Sequence, residues 1–314
     1  AHFQSGLTNP LDQAIVSGRE LDLTGVTKVD EIPYDFTRKR LSVVVQEGDE
    51  HRLIMKGALD HVLEVCRRVR LDGETSPLDE AQEQAIQQHL VEWSAQGFRV
   101  LGVAVKAMPV EQRTYTREDE RDLTFIGFLL FLDPPKENVR QTIADLAELG
   151  VQLKVITGDN RLVATHLAEL IDFPVTGIVT GKDLDDLPEA ALWHRADSAN
   201  LFVEVDPNQK ERIILAVKKT SHVVGFMGDG VNDAPALHAA DVGVSVENAV
   251  DVAKEAADFV LLKRDLGVLR RGIIEGRRTF ANTLKYVFMA SSANFGNMFS
   301  VAGADFDRYR MNLV

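Results

Sequence analysis

The stretch HVVGFMGDGVNDAP, residues 222–235, changes within a few positions from an apolar run to a glycine-rich acidic loop. HVVGFM has the β-branched and aromatic residues of a short buried strand, and GDGVNDAP follows it as a loop with glycines that permit a tight turn. Pro235 suits the first turn of a helix. The stretch therefore predicts a strand–loop–helix unit that places two carboxylates, Asp229 and Asp233, at the carboxyl end of its strand.

The same alternation of strand and helix begins at Asp133 and continues beyond this unit. Pro135 suits the start of a helix that Gly150 ends, and short apolar strands then alternate with amphipathic helices. The pattern predicts helices at 160–171, 188–196 and 208–219, and strands at 151–156, 177–180, 200–205, 222–227, 241–246 and 258–262. Such a pattern is typical of a parallel sheet covered on both faces, with its chemistry at the carboxyl ends of the strands.

Residues 1–132 show a different pattern. RLSVVVQEGDEHRLIMKG, residues 40–57, has β-branched residues on both sides of Gly-Asp and predicts an antiparallel hairpin. A helix is predicted over 75–97, followed by strands at 98–106 and 123–133. The single cysteine, Cys66, lies in a run that we interpret as helical.

Composition excludes several classes of protein. The 314 residues are 45% hydrophobic and 26% charged, a globular balance with room for about two domains. A net charge of −13 without a basic block argues against nucleic-acid binding. One cysteine and scattered histidines predict neither an internal disulfide nor a zinc site. Residues 286–304 carry no charge and are roughly as long as one membrane span.

Polar residues follow three of the predicted strands. Thr157, Gly158 and Asp159 come after strand 151–156, Lys210 begins helix 208–219, and the two loop aspartates follow strand 222–227. Taken singly, these are turns, helix caps and a surface lysine. Together, a hydroxyl, exposed amides, an ammonium group and paired carboxylates at one edge of a sheet favour phosphoryl transfer, which needs mainly positioning and charge neutralisation.

The paired carboxylates also predict a metal ion. Two carboxylates about 4 Å apart repel each other by about 4 kcal/mol at an effective dielectric near 20. A cation relieves that repulsion, and oxygen ligands suit Mg²⁺ held partly by water and phosphate. We therefore expect Asp229 and Asp233 to bind Mg²⁺.

Four segments in this order resemble the cytoplasmic motifs of P-type ATPases: DPPKENV (133–139), TGDN (157–160), DPNQKERI (206–213) and GDGVNDAPAL (228–237). The resemblance covers about residues 1–304. It implies an α/β fold, in which a haloacid-dehalogenase-like Rossmann phosphorylation domain carries an inserted α+β nucleotide-binding domain with an antiparallel sheet. It further implies that Thr157 and Lys210 contact the phosphoryl group and that Asp229 holds Mg²⁺. Asn232 and Asp233 complete the site, and Asp133 lies at the hinge.

The resemblance implies that the N-terminal region binds ATP. IPYDFTRKRLSVVV, residues 32–45, is similar to an aromatic and basic segment of the family, in which Tyr34 falls where a ring stacks on adenine and Lys39 lines the pocket. Lys56 and Gly57 of MKGA lie at the end of the second hairpin strand, where a glycine lets the nucleotide approach the backbone closely. Arg99 of GFRVLGVA has a guanidinium group that suits a phosphate. Without the later motifs, we would interpret Tyr34 as an aromatic residue of a hairpin core, the lysines as charges on an edge strand, and Arg99 as a surface arginine.

The family's nucleophile, the aspartate of an Asp-Lys-Thr-Gly motif, is absent from residues 1–314, as is its Thr-Gly-Glu motif. We therefore expect a fragment that lacks the first strand of the phosphorylation domain and binds ATP without turning it over. Its partners would be ATP, Mg²⁺ and the actuator and transmembrane domains of the same polypeptide. The predicted domains are 1–132 for nucleotide binding, 133–268 for phosphorylation, 269–304 for a stalk and the start of a membrane helix, and an unexplained tail at 305–314.

Residues 275–301, EGRRTFANTLKYVFMASSANFGNMFSV, are similar to the stalk and the first half of the fifth membrane helix of bacterial magnesium-transporting P-type ATPases. This similarity implies a parent in the bacterial plasma membrane, with residues 1–268 on the cytoplasmic side. A calcium or proton pump, a soluble phosphatase of the haloacid-dehalogenase type and a non-catalytic nucleotide sensor remain alternatives.

Overall fold

A computed structural model describes residues 1–5, 10–18, 22–35, 37–263 and 265–311. The strands are β1 (Val26–Asp35), β2 (Arg40–Glu47), β3 (Glu50–Ala58), β4 (Cys66–Leu71), β5 (Glu74–Pro77), β6 (Arg99–Met108), β7 (Leu123–Phe131), β8 (Val155–Ile156), β9 (Ile178–Thr180), β10 (Leu201–Val203), β11 (Gly225–Met227), β12 (Val242–Val246) and β13 (Phe259–Leu261).

The helices are α1 (Pro10–Gly18), α2 (Leu59–Leu63), α3 (Glu80–Ala95), α4 (Val139–Glu148), α5 (Arg161–Leu170), α6 (Gly181–Asp186), α7 (Glu189–Ser198), α8 (Pro207–Lys219), α9 (Ala234–Ala239), α10 (Asp251–Glu255) and α11 (Leu266–Met311). Short 3₁₀ turns lie at Arg117–Asp119 and Val231–Asp233.

The N-terminal region forms a seven-stranded sheet in the order β1-β2-β3-β6-β7-β4-β5. Neighbouring strands are antiparallel except β4 and β7, which run parallel. The 40–57 hairpin is confirmed, because β2 and β3 pair along their whole length from Arg40 opposite Gly57 to Glu47 opposite Glu50. Its core includes Leu53, Met55, Val62 and Phe125, all almost fully buried.

The parallel strands form two three-stranded sheets, β8-β10-β9 and β11-β12-β13, where the sequence pattern suggested one. Of the strand predicted over 151–156, only Val155 and Ile156 form a ladder, and they pair with β10. Within the described residues, β8 and β11 share no ladder. The α/β alternation itself is confirmed, and β9, β10, β12 and β13 lie within one or two residues of their predicted bounds.

Several predicted elements were wrong in extent or type. The helix expected from Pro135 begins at Val139, because Asn138 adopts a left-handed φ of 68° that ends the preceding loop. Cys66 begins strand β4, where it pairs with Leu123 of β7, so the helical interpretation of its segment fails after Leu63. The predicted helix 75–97 starts late because residues 74–77 form β5, and Asp79 caps α3 through a hydrogen bond with Gln82.

The described chain divides into two compact units. Unit 1 is Ala1–Glu137 with Lys154–His222, and unit 2 is Asn138–Leu153 with Val223–Val314. The seven-stranded sheet and β8-β10-β9 belong to unit 1, and β11-β12-β13 belongs to unit 2. The domain bounds inferred from the sequence stay predictions.

The uncharged stretch 286–304 lies within helix α11. Among the described residues, no helix combines the length and apolarity that a membrane span requires.

Candidate functional site

All five residues predicted to bind a nucleotide lie at one end of the seven-stranded sheet. Strand β1 ends there, and β2 starts there at Arg40. Arg40 lies opposite Gly57 near the end of β3, and Gly57 lies opposite Gly102 of β6. Arg99 begins β6 three positions earlier, opposite Phe131. The sequence prediction of one site is therefore consistent with the strand register.

Tyr34 lies in an irregularity of β1, between the pairs Ile32–Ser42 and Asp35–Arg40. Such bulges change the direction of side chains relative to a regular ladder, and Tyr34 is 47% exposed. Partial burial and the neighbouring Asp35 carboxylate raise the pKa of the Tyr34 phenol. Its ring is therefore open to solvent at this end of the sheet, as a stacking residue must be.

Lys39 lies in the turn between β1 and β2 with a left-handed φ of 47°. Its amide donates to the Asp35 carbonyl at 2.7 Å, and the Asp35 carboxylate accepts from the amides of Thr37 at 2.7 Å and Arg38 at 3.0 Å. The turn is thus fixed from inside by Asp35. The side chain of Lys39 is left exposed.

Gly57 is required by a close backbone approach. A Cβ atom at this position would lie 2.6 Å from the carbonyl oxygen of Lys39 and 2.7 Å from Cα of Arg40. The amide of Ala58 donates to the same Lys39 carbonyl at 2.9 Å. Gly57 therefore lets the turn between β1 and β2, which contains Lys39, lie against β3.

Lys56 is largely buried, with 13% of its side chain exposed, and it forms an ion pair with Asp12 of α1. Burial lowers the pKa of Lys56 to about 8. The carboxylate favours the ammonium form, but desolvation dominates. A lysine in this state is a partly desolvated cation, which attracts an anionic ligand more strongly than a solvated one does.

Arg99 joins the two groups of candidate residues within unit 1. Its guanidinium forms an ion pair with the Asp159 carboxylate. The neighbouring Asn160 side chain donates to Ser94 Oγ of α3 at 3.0 Å. The sequence placed Arg99 in the nucleotide group and Asp159 in the phosphoryl-transfer group without predicting their contact.

The segment Thr157-Gly158-Asp159 forms a compact turn after β8. Thr157 Oγ1 donates to Asp159 Oδ2 at 3.0 Å and accepts from the Asp159 amide at 3.1 Å. Asn160 then caps α5 by accepting from the Val163 amide at 2.9 Å. The turn and the cap anticipated from the sequence are both present, and Gly158 is exposed at the turn.

Lys210 lies in the first turn of α8, whose start is fixed by a reciprocal cap. Asp206 accepts from the Gln209 amide at 2.8 Å, and the Gln209 side chain accepts from the Asp206 amide at 3.0 Å. Lys210 is half-buried and follows β10 as expected. Thr157, Gly158, Asp159 and Lys210 thus all follow strands of the β8-β10-β9 sheet.

Asp229, Asn232 and Asp233 lie in unit 2, in the loop after β11. Asp233 is buried, and its Oδ2 accepts from the amides of Asp229 at 3.1 Å and Gly230 at 3.0 Å. A Cβ at Gly228 would lie 2.4 Å from Cβ of Asp233. Asp233 therefore holds the loop closed, while Asp229 is exposed.

The donor set of this loop fits a partly hydrated Mg²⁺. Asp229 offers an exposed carboxylate, whereas one oxygen of Asp233 already accepts two amides. Among the described residues, no cluster of three or more acidic, histidine or cysteine side chains could hold a metal. Mg²⁺ accepts one or two carboxylates with water and phosphate, so Asp229 and Asp233 suit it only with such additional ligands. The convergence of this loop with Thr157 and Lys210 stays a prediction.

Sequence reasoning missed Glu120, whose buried carboxylate contacts both arginines that flank Lys39. No motif in the sequence marks it, because its partners lie about 80 positions away. A second aromatic residue of the quoted segment, Phe36, lies outside the described residues.

The chain is similar to known proteins along most of its length. A family model described as P-type ATPase, cytoplasmic domain N, matches residues 16–138, and one described as haloacid dehalogenase-like hydrolase matches residues 211–270. The chain is 46% identical over 307 residues to the magnesium-transporting ATPase, P-type 1, of Escherichia coli strain K12 and 45% identical over 309 residues to its namesake in Salmonella typhimurium strain LT2. These alignments cover 96% of this chain and 34% of each relative.

A calcium-transporting ATPase of Bacillus subtilis strain 168 is 34% identical over 277 residues, which cover 86% of this chain and 31% of that protein. The chain thus spans about a third of the length of these curated relatives.

Proposed function

The chain belongs to the P-type ATPase family, and on this premise we propose that it is the ATP-binding and phosphorylation portion of a magnesium transporter. The parent would couple ATP hydrolysis, through an aspartyl-phosphate, to Mg²⁺ transport across a bacterial plasma membrane. Magnesium is favoured over calcium because the identity to the magnesium-transporting relatives exceeds that to the calcium-transporting one. A calcium pump is the second candidate.

The observation that carries the proposal is the ion pair between Arg99 and Asp159. It brings a residue of the nucleotide end of the sheet against the turn that contains Thr157. A triphosphate extending from that end would meet a guanidinium, whose planar fork suits phosphate oxygens. ATP binding would exchange the Asp159 carboxylate for phosphate at Arg99.

The nucleotide end of the sheet supplies the remaining contacts in this proposal. The exposed ring of Tyr34 stacks on the adenine, Lys39 and Lys56 supply positive charge, and Gly57 lets the backbone approach closely. On ATP binding, Lys56 would either break its ion pair with Asp12 or contact both Asp12 and the nucleotide. Each of these roles depends on the position of the residue at the same end of the strands.

Phosphoryl transfer needs a second group of residues. The Thr157 hydroxyl and the amides after it contact the transferring group, and Lys210 neutralises its charge. Asp229 and Asp233 would hold Mg²⁺, which would supply positive charge to offset the negative charge of the transferring group. Asn232 would complete the site.

Residues 1–314 contain no Asp-Lys-Thr-Gly nucleophile motif. We therefore propose that this chain binds ATP but does not turn it over by itself. The actuator and transmembrane domains of the parent polypeptide are its partners in transport. Steady-state ATPase activity in the purified chain would contradict this part of the proposal.

An ATP titration followed by amide NMR tests the binding site. Arg99→Ala and Lys56→Ala should each weaken ATP binding by about tenfold or more, the effect expected when one charged hydrogen bond is lost. Arg52→Ala is a matched control, because Arg52 is 45% exposed against 47% for Arg99 and lies at the opposite end of the sheet. Equal losses in all three variants would refute the assigned site.

The adenine contact needs its own comparison. Tyr34→Leu should reduce the affinity for ATP and for adenosine alike, because stacking does not involve the phosphates. Phe36→Leu is measured beside it, since both aromatic residues belong to the quoted segment. Loss of affinity only in Phe36→Leu would move the stacking role from Tyr34 to Phe36.

A further inference from the structure

Glu120 is a buried carboxylate in the loop that precedes β7. The residue is 3% exposed, and its side chain is fully buried. It accepts a hydrogen bond from Ser42 Oγ at 2.7 Å and one from Arg40 Nε at 3.3 Å, and it forms an ion pair with the Arg38 guanidinium. Two cations and a hydroxyl thus meet on a single anion.

Such a cluster is stable only when the charges remain paired. A buried carboxylate without partners is strongly unfavourable, so Glu120 and its arginines depend on one another. The arginines are themselves largely buried, with 14% of the Arg38 side chain and 11% of the Arg40 side chain exposed. The geometry of all three side chains is therefore restricted.

Each arginine has a second anchor. Arg38 donates to the Pro33 carbonyl at 2.9 Å, and Arg40 donates to the His61 carbonyl at 2.6 Å. Arg38 also pairs with Asp35 at 3.4 Å, and Arg40 lies 3.4 Å from the exposed Glu64 carboxylate. Glu120 is the one carboxylate among these that contacts both arginines.

The two arginines flank Lys39. They are adjacent to it in sequence, on the turn that lies against Gly57, and Arg40 pairs with both Asp35 and Gly57 in the strand register. Fixing both guanidinium groups therefore fixes the turn between them. The proposed nucleotide contacts of Tyr34 and Lys39 depend on the same turn.

We propose that Glu120 is a positioning residue for nucleotide binding, which holds the Arg38–Arg40 turn in its binding geometry without touching the nucleotide. This inference rests on the proposed ATP site at this end of the sheet. It differs from a purely structural brace in one consequence. Loss of the charge should weaken ATP binding in protein that is still folded, as shown by unchanged amide signals of β3 and β6.

The test is Glu120→Gln, which keeps the size of the side chain and removes its charge. ATP affinity should fall about tenfold, the effect of losing one charged contact with ATP, here that of Lys39 on the displaced turn. The Nε–Hε NMR signals of Arg38 and Arg40 should shift or exchange faster, while amide signals of β3 and β6 stay in place. Glu118→Gln is the matched control, because Glu118 is exposed two positions away and should leave affinity and signals unchanged.

Glu120→Asp provides a second variant if the glutamine variant does not fold. It keeps the charge on a shorter side chain, and its ATP affinity should lie between those of the wild type and Glu120→Gln. Shifted arginine signals with unchanged ATP affinity, in whichever variant folds, would overturn the inference. Failure of both variants to fold would also overturn it, because Glu120 would then act in folding.

The wild-type titration separates this inference from the proposed function. If the wild type does not bind ATP, the proposed function fails and the inference fails with it. If the wild type binds ATP and Glu120→Gln binds equally well, only the positioning role is lost.

Discussion

Among single residues, Gly57 allows a direct test of the close approach at the nucleotide end of the sheet. Gly57→Ala would place a methyl group against the backbone of Lys39 and Arg40, which cannot move aside as a flexible side chain can. We expect the free energy of unfolding to fall by about 1–3 kcal/mol, the usual cost of overpacking. Chemical denaturation measures this change.

Gly276→Ala is the control for that substitution. Gly276 lies in helix α11, where a Cβ would meet nothing within 4 Å. The same change should therefore be neutral or stabilising by about 0.5–1 kcal/mol, because alanine favours helix over glycine. Equal destabilisation by both substitutions would contradict the role assigned to the contacts of Gly57.

The lowered pKa of Lys56 predicts that the free energy of unfolding depends on pH. Burial lowers its pKa to about 8 in the folded chain, against 10.5 for an ordinary solvated lysine. Below pH 8 both states are charged, so the full cost of burying the cation is present. Between pH 8 and 10.5 the folded state loses its proton first, so the stability from this group rises with pH.

Lys56→Met isolates this contribution, because the methionine has no proton to lose. The free energy of unfolding of the wild type, minus that of Lys56→Met, should rise as the pH passes from about 7 to about 11. The NMR signal of the Lys56 ¹³Cε, identified by its loss in the variant, should titrate near pH 8. If this difference does not change over the pH range, burial does not lower the pKa of Lys56.

At the scale of an element, the loop after β11 gives Asp233 two roles that can be separated. Asp233→Ala removes the acceptor of two loop amides, and we expect the unfolding free energy of unit 2 to fall by about 2 kcal/mol. Asp233→Asn keeps an acceptor oxygen and should lose less stability. Both variants should bind Mg²⁺ more weakly, as measured by titration calorimetry. If the asparagine variant is as unstable as the alanine variant, the amide contacts are not the cause.

The sequence predicted elements best where local patterns were strong. The 40–57 hairpin and helix 208–219 were placed within about one residue, because a Gly-Asp turn and an Asp-Pro start mark their ends. Cys66 was assigned to a helix because the apolar residues of α2 run on into β4. What makes that segment a strand is its pairing with β7, at Leu123, and no local pattern shows a partner so distant.

For the whole molecule, sequence motifs predicted a set of residues for one chemistry but not the contacts between these residues. The order of the four motifs identified the family, and the strand register brings the residues predicted to bind a nucleotide to one end of a sheet. The pair Arg99–Asp159 and the Glu120 cluster could not be predicted, because each depends on side chains about 60 or more positions apart. Such contacts follow from the packing of elements rather than from periodicity.

The division into two units predicts that a nucleotide protects them unequally. All five residues proposed to bind the nucleotide belong to unit 1, so we expect ATP to bind only the folded form of that unit. At about 100 times the dissociation constant, ATP should stabilise unit 1 by about 2.7 kcal/mol. Globally exchanging amides of β2, β3 and β6 should then exchange about 100-fold more slowly, while those of β11, β12 and β13 in unit 2 should change little.

Hydrogen exchange with and without ATP, in the presence of EDTA, measures this difference while excluding any bridge through Mg²⁺. Lys56→Ala at the same ATP concentration is the control, and exchange in unit 1 should then slow by only about tenfold or less because its affinity is about tenfold lower or more. Equal slowing in both units would mean that they unfold together, so that the stabilisation spreads across the chain. Slowing confined to unit 2 would place the nucleotide on the GDGVND loop and remove the site at the end of the seven-stranded sheet.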